Sequence, residues 1–244
     1  MKDKPAERPW PLPRAPWVIG QSWLDLLFAH WPCAVEQVRP WIPAALPLDT
    51  FEGQAWLSVV PFRMSQTRGR GMPSLPYLSS FHELNLRTYV TLGGKSGVFF
   101  FSLDAANPIA VQFGRRVYHL PYYRAQMAPT LTDDGVRYSS RRTDRAAPSA
   151  QFRAGYRPSG EVFQAVAGTL EHWLTARYCL YAVDRHERIY RTEIDHRPWS
   201  LQPAEAQIAV NSMSEPYGIP LRSSPLLQFS RRLDVHIWPP QRVT

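Results

Sequence analysis

"HELNLRTYVTLGGKSGVFFFSLDA", His82 to Ala105, is the stretch on which the fold turns. It reads as two strands joined at the glycines. In a strand, residues two apart share a face. Glu83, Asn85, Arg87 and Tyr89 therefore fall on one side, and Leu84, Leu86, Thr88 and Val90 on the other. On a surface strand the polar side would meet water and little would follow. Inside a barrel the same side lines an interior, where a carboxylate, an amide and a guanidinium must satisfy one another or a ligand. The second strand, "VFFFSLD", is apolar on both faces until Ser102 and Asp104, the pattern of a strand buried on both sides and so central in its sheet.

Outward from this hairpin the chain divides into an arm, residues 1–16, rich in proline and charge and read as flexible, and one domain, residues 17–244. "SWLDLLFAHW" fits strand or helix. "AVEQVRPWI" reads as a short helix, and a turn at Glu52 and Gly53 leads into a strand ending near Met64. Asn107 and Pro108 signal the start of a helix that Pro121 stops. Strands follow in "GVRYSSRRTD", "AQFRAGYRP" and "VFQAVAG", then a short helix behind Thr169 and a hairpin turning near Arg185 and His186. "PAEAQIAVNS" reads as a last helix before a closing strand, "LLQFSRRLDVHIW". Many strands with few short helices, and no alternation of strand and helix, predict an α+β, mostly β barrel or sandwich with peripheral helices.

Composition narrows the function classes. The net charge is +8, and of 28 basic residues only Lys2, Lys4 and Lys95 are lysines. Arginine favours fork-like grips on carboxylates and phosphates. No apolar run is long enough to span a bilayer and the start lacks a signal-peptide core, so a soluble cytoplasmic protein is expected. Cys33 and Cys179 lie far apart, outside any CxxC pair, and read as buried thiols. "GGKSG" lacks the earlier glycine of a phosphate loop, since position 89 is Tyr89. "FHELN" lacks the second histidine of a zinc-protease signature, because position 86 is Leu86. The seven histidines show no ligand spacing, His172 and His196 read as structural, and no metal or cofactor is expected. Arg141, Arg142, Arg145, Arg153 and Arg157, interleaved with Tyr138, Phe152 and Tyr156, admit single-stranded nucleic acid; a solvated hairpin accounts for them better.

"YHLPYYRAQM", Tyr118 to Met127, places His119, Tyr122, Tyr123 and Arg124 in a loop after the helix, a common place for binding groups. In chemical terms Glu83 or His119 suits proton exchange, Tyr122 suits donation to an oxyanion, and Arg87 suits a carboxylate. The expected site is thus Glu83, His119 and Tyr122 as catalytic groups, with Asn85, Arg87, Tyr123 and Arg124 binding substrate.

The blocks "SWLDLLFAHWP", "FEGQAWLSVVPFRM", "FHELNLRTYV", "GVFFFSLDAANPIAV", "HLPYY", "TLEHWLTARYCLY" and "RPWSLQPA" run in one order from about Trp17 to Trp238. On these blocks the chain resembles the YqjF-like family of uncharacterised bacterial proteins. More distantly it is similar to the acetoacetate decarboxylase superfamily, which implies a barrel-like core with an internal site. The resemblance puts Glu83 where those enzymes carry a pocket glutamate, and Leu120-Pro121 where they carry Phe-Pro. Tyr122 and Tyr123 stand in place of the lysine pair. A Schiff base needs a primary amine, and acetoacetate decarboxylase is the standard case of an amine tuned for it. Tyrosine forms no such adduct, so amine-dependent decarboxylation is disfavoured. The reading that follows is an internal pocket for a small carboxylate or carbonyl compound in a cofactor-independent lyase, isomerase or hydrolase. A non-catalytic ligand-binding or sensory module is the alternative, and single-stranded nucleic-acid binding a distant one. The expected partner is a small organic ligand rather than a membrane, and homo-oligomerisation is left open.

Overall fold

A computed structural model describes residues 8–75, 79–133, 135–145 and 147–244. "SWLDLLFAHW" lies in a 15-residue strand, β1 (Ile19–Cys33). A four-residue helix, α1 (Val35–Val38), and a 3-10 turn over Arg39–Trp41 lead to the turn at Glu52 and Gly53, where φ is 50° and 78°. Strand β2 (Ala55–Gly69) runs past the Met64 end point expected for it. Strands β3 (Phe81–Leu92) and β4 (Lys95–Ala105) form the expected hairpin. Its two turn residues, Gly93 and Gly94, have φ of 60° and 73°, a region that glycine enters without strain.

Helix α2 (Pro108–Val117) begins where the sequence signals it, with Asn107 accepting from the backbone N–H groups of Ile109 and Ala110. It closes at His119, whose φ is 55° and whose place after a helix end glycine more often takes. The next residues, expected as a loop, form a strand, β5 (Tyr122–Met127), parallel to β4. Thus β4, α2 and β5 make one βαβ unit that the sequence reading did not foresee. Strands β6 (Thr130–Leu131), β7 (Val136–Arg142) and β8 (Gln151–Pro158) follow, then helix α3 (Leu170–Thr175) behind its Thr169 cap. Strands β9 (Cys179–Val183), β10 (Ile189–His196), β11 (Gln202–Asn211), β12 (Leu226–Ile237) and β13 (Gln241–Arg242) complete the order.

Two expectations are corrected. "PAEAQIAVNS" is no helix: it forms β11, paired with β8 from Ala204 to Asn211, with Ala204, Ala206 and Ile208 packed on the core and Glu205 and Gln207 exposed. The period is two, and tertiary pairing overrides the helix preference of Ala, Glu and Gln. "VFQAVAG" is no strand either; Phe163 makes one isolated bridge to Leu201, and Val162 and Val166 are exposed.

The strands form one sheet that closes on itself twice. Pairing of β10 with β12 completes a ring of β12, β1, β2, β3, β4, β9 and β10, and pairing of β4 with β5 completes a second ring through β5, β7, β8 and β11. Strands β4, β3, β2, β1 and β12 are common to both rings, so both of their faces are buried. Leu26 and Phe28 of β1 join one hydrophobic cluster, and Leu27 and Ala29 the other. On β3, Leu84 and Leu86 point into the second ring's core, while Tyr89 belongs to the first ring's cluster. Burial on both faces explains the nearly continuous apolar runs of these strands. Residues 1–7 of the expected arm lie outside the described residues. Arg8 and Trp10, within the same arm, hydrogen-bond Glu193 of β10.

Candidate functional site

The first ring encloses a cavity of about 270 Å³. Its walls are mainly aromatic and aliphatic, among them Trp23, Phe28, Phe62, Phe100 and Trp199, and α2 lies at its rim through Ile109 and Phe113. The polar lining is concentrated on β3, where the two-residue period brings Glu83, Asn85 and Arg87 to one face, with Tyr122 of β5 opposite. A mostly apolar pocket with a few convergent polar groups is the usual form of a small-molecule site.

Glu83 is 3% exposed. Tyr122 donates to its Oε2 at 2.8 Å, and Tyr138, from the second ring, donates to its backbone carbonyl at 2.9 Å. Burial pushes the Glu83 carboxyl up to about 7, outweighing the hydrogen bonds from Tyr122 and Asn85, while the charge of Asp104 pushes the same way. Burial and the neighbouring Glu83 carboxylate hold the Tyr122 phenol far above its usual range, so it stays a donor.

Tyr122 is fixed at several points. Its carbonyl accepts from Arg115 Nε at 2.6 Å, and its N–H donates to Leu120 at 2.8 Å. Its ring lies against Gly114 of α2 so closely that a Cβ there would stand 2.4 Å from Tyr122 Cδ2. Arg87 lies with its guanidinium carbon 5.5 Å from the Phe28 ring centre and 5.9 Å from that of Tyr89. Among the described residues no carboxylate pairs with it, and neither its buried Nε nor Asn85 Oδ1 has a protein partner. Beyond Arg87, Ser58 Oγ lies 2.6 Å from both His30 Nδ1 and the Tyr89 hydroxyl. Burial, then the Arg87 charge, pull His30 well below the usual imidazole range.

The other expected site residues do not line the cavity. His119 is turned outward by its left-handed backbone and lies against Tyr190, ring centres 4.5 Å apart, in a groove on the outer side of β4. Tyr123, one residue on from Tyr122, faces the second ring, where the Arg142 guanidinium lies 4.4 Å from its ring centre. Arg124 is exposed, and its carbonyl accepts from the Thr143 N–H. His196 Nδ1 is within 2.7 Å of the Arg197 carbonyl and its ring stacks on Tyr178, a packing role. Gly114 and Arg115 support the site through contacts with Tyr122, and Tyr138 through its bond to Glu83 from a distant strand; none carries a local sequence signal. Among the described residues no group of three His, Cys, Asp or Glu side chains could hold a metal ion, and no helix is long and apolar enough to cross a membrane.

Residues 20–234 match the model of DUF2071, a family of uncharacterised conserved proteins. The chain is 44% identical over 229 residues to the uncharacterised protein YqjF of Bacillus subtilis (strain 168), covering 93% of each protein. Among solved structures it is similar to an acetoacetate decarboxylase-like enzyme from Sphingomonas wittichii RW1, with a TM-score of 0.64, 14% identity and 94% of each chain covered. The enduracididine biosynthesis enzyme MppR complexed with pyruvate gives a TM-score of 0.64 at 9% identity, covering 94% of this chain and 91% of that one. Acetoacetate decarboxylase from Legionella pneumophila subsp. pneumophila str. Philadelphia 1 gives 0.59 at 12% identity, covering 97% and 93%. The fold is therefore acetoacetate decarboxylase-like, as the sequence resemblance implied.

Proposed function

This chain belongs to the DUF2071 family, and from that membership and the cavity's geometry we propose that it binds a small organic acid or carbonyl compound inside the seven-stranded ring and transfers a proton on it. The observation that carries this reading is geometric: the buried Glu83 carboxyl accepts from the Tyr122 hydroxyl at 2.8 Å in an apolar cavity whose cation, Arg87, has no acidic partner among the described residues, and burial raises that carboxyl to about 7. A carboxyl that titrates near neutrality exchanges protons with little loss at either step.

The roles follow from the chemistry of each group. Arg87 offers a ligand carboxylate two parallel N–H donors. Ionised Glu83 takes a proton from the carbon next to a carbonyl; once Glu83 is protonated, the one O–H of Tyr122 turns from it to the oxygen on which negative charge has developed. Return of that proton to a different carbon isomerises the compound; delivery of it to a departing hydroxyl dehydrates it. The fold neighbours named for acetoacetate decarboxylation, and the one complexed with pyruvate, favour keto acids as the first compounds to try. A route through acid–base chemistry rather than an amine adduct is supported by Lys95, whose Nζ pairs with Glu193 at 2.7 Å and is not part of the cavity lining.

The test is a thermal-shift screen of small keto, hydroxy and carboxylic acids against wild type, Arg87→Ala and Glu83→Gln. Proton NMR in deuterated buffer then follows C–H exchange on each hit. Stabilisation by one acid class that Arg87→Ala loses, with exchange that Glu83→Gln abolishes while still binding, is the expected result. Equal exchange in wild type and Glu83→Gln overturns the catalytic role, and stabilisation indifferent to Arg87→Ala overturns the anion grip.

A further inference from the structure

The wall between the cavity and the outside is incomplete along β4. One edge of that strand pairs with β3, with one irregularity that leaves Phe101 unpaired; on the other, β9 pairs with Val98 and Phe99, and β5 with Leu103, Asp104 and Ala105. Residues 100–102 between them have no strand partner on that edge. The Phe101 carbonyl is instead satisfied by the Tyr217 hydroxyl at 2.7 Å, a side chain supplying what a sheet neighbour would. Inside this break lies the cavity. Outside lies an open groove of about 800 Å³. Among the described residues, Phe100 and Leu120 line both.

The groove has a marked charge. Arg115, Arg116, Arg185 and Arg188 line it, and its one carboxylate, Asp184, is paired with Arg188. Arg116 and Arg185 are exposed and make no ion pair among the described residues. Trp41 and Phe101 stand edge-on to Tyr217, with ring centres 5.2 and 4.8 Å away, and all three line the groove. Elsewhere in the cavity lining, Gln21, Thr67, Ile109 and Phe113 carry no charge. A basic cleft with apolar walls concentrates organic anions and speeds their arrival.

We infer that this groove is the entry site for organic anions bearing an aromatic or aliphatic body, which pass between β9 and β5, past Phe100 and Leu120, to reach Arg87. The inference rests on the reading of the cavity as an organic-acid site and adds a second, external binding site to it. On this route the side chains of Phe100 and Leu120 rotate aside, between the β9 pairing at Val98 and Phe99 and the β5 pairing that begins at Leu103.

The experiment is stopped-flow fluorescence of the full chain with 8-anilinonaphthalene-1-sulfonate, across ionic strengths, for wild type, Arg116→Glu/Arg185→Glu, Phe100→Ala and Arg87→Ala. The charge reversal is expected to slow association about tenfold at low salt and to flatten its salt dependence. Phe100→Ala is expected to raise the association and dissociation rates together, as removal of a barrier requires; a change confined to the dissociation rate would mark Phe100 as a contact of the bound anion and no gate. Wild-type association rates and salt slope in the charge-reversed protein, with affinity still lost in Arg87→Ala, overturn the groove and leave the cavity standing. Unchanged affinity in Arg87→Ala, or no binding by wild type, overturns both. Circular dichroism of each variant excludes misfolding as the cause of a lost signal.

Discussion

The Tyr122 hydroxyl sits 2.8 Å from Glu83 Oε2, linking the first residue of β5 to β3 across the intervening strand β4. The link crosses the point where the two rings of the sheet share a wall. Tyr138 reaches the Glu83 backbone from the other side of that wall. Glu83 is thus held from both interiors, with its carboxyl in the first and its carbonyl bonded in the second. Such support leaves the carboxyl few alternative positions, and a fixed, desolvated carboxyl is one whose protonation carries a large energetic consequence.

Glu83→Gln tests that consequence through pH. The carboxyl is raised from 4.5 to about 7 in the folded protein. Between those values the native state binds more protons than the unfolded state, so stability falls as pH rises through the window and levels off above it. The loss amounts to about 3 kcal/mol. Glutamine carries no charge at any pH, and any constant cost of the amide cancels in the comparison. The Tm of Glu83→Gln relative to wild type is expected to rise between pH 5 and pH 8 by on the order of 5–10 °C. Parallel pH profiles for the two proteins would show that Glu83 titrates normally.

Gly114→Ala tests how Tyr122 is placed. Alanine improves helix propensity by about 1 kcal/mol. Here, however, its Cβ would meet Tyr122 Cδ2 at 2.4 Å, and overpacking of this kind costs about 1–3 kcal/mol. The clash should win, giving a net loss of up to about 2 kcal/mol and moving the phenol off Glu83. In a Tyr122→Ala background the clash is gone and Gly114→Ala should stabilise by up to about 1 kcal/mol. Urea denaturation of the four proteins reads the cycle; the same sign for Gly114→Ala in both backgrounds would rule out the contact.

What the sequence made legible follows from where each signal resides. The β3–β4 hairpin and the start of α2 are written locally, in a two-residue period, a Gly-Gly turn and an Asn-Pro cap. Strand β11 is not, because Ala, Glu and Gln favour a helix and only pairing with β8 decides otherwise. The shared face of Glu83, Asn85 and Arg87 was readable from alternation, but the side on which the sheet closes was not. His119 and Tyr122 stand three residues apart and diverge because the chain reverses at the left-handed His119. Tyr123 diverges from Tyr122 because neighbours in a strand face opposite ways. Gly114 and Arg115 depend wholly on contacts with a later segment.

The second ring contains a buried ion pair whose removal should be asymmetric. Arg142 Nε donates to Asp104 Oδ1 at 2.9 Å, and both side chains are buried. Burial nevertheless pushes Asp104 up to about 6, with Arg142 opposing. Asp104→Asn leaves a guanidinium without its counter-charge and should cost about 3–5 kcal/mol, whereas Asp104→Leu/Arg142→Met should lie near wild type or above it. Asp104→Asn should also lower the Glu83 titration point, since the Asp104 charge contributes to raising it. Carboxyl carbon NMR reads the second effect independently of stability; a Glu83 midpoint unmoved by Asp104→Asn would mean that the two carboxyls do not interact.

Glu193 should respond to pH in the opposite sense from Glu83. It is 3% exposed and binds Arg8, Trp10 Nε1 at 2.7 Å, Lys95 Nζ at 2.7 Å and Arg191 Nε at 3.1 Å. Burial alone would raise its pKa, but Lys95, Trp10 and Arg8 outweigh burial and hold it below the ordinary value of 4.5. A depressed carboxyl contributes stability that is present above the unfolded pKa and disappears as pH falls through the folded one. Glu193→Gln should therefore be less stable than wild type at pH 7, by about 1–3 kcal/mol for charged hydrogen bonds replaced by neutral ones, and the gap should narrow as the pH falls below the ordinary value of 4.5. Deleting residues 1–10 removes Arg8 and Trp10 but leaves Lys95 and Arg191, so it should reproduce part of that loss and keep the fold. Thermal denaturation of the three proteins from pH 3 to pH 8 decides it: a gap that stays constant into acid would assign the contribution of Glu193 to packing rather than to its charge.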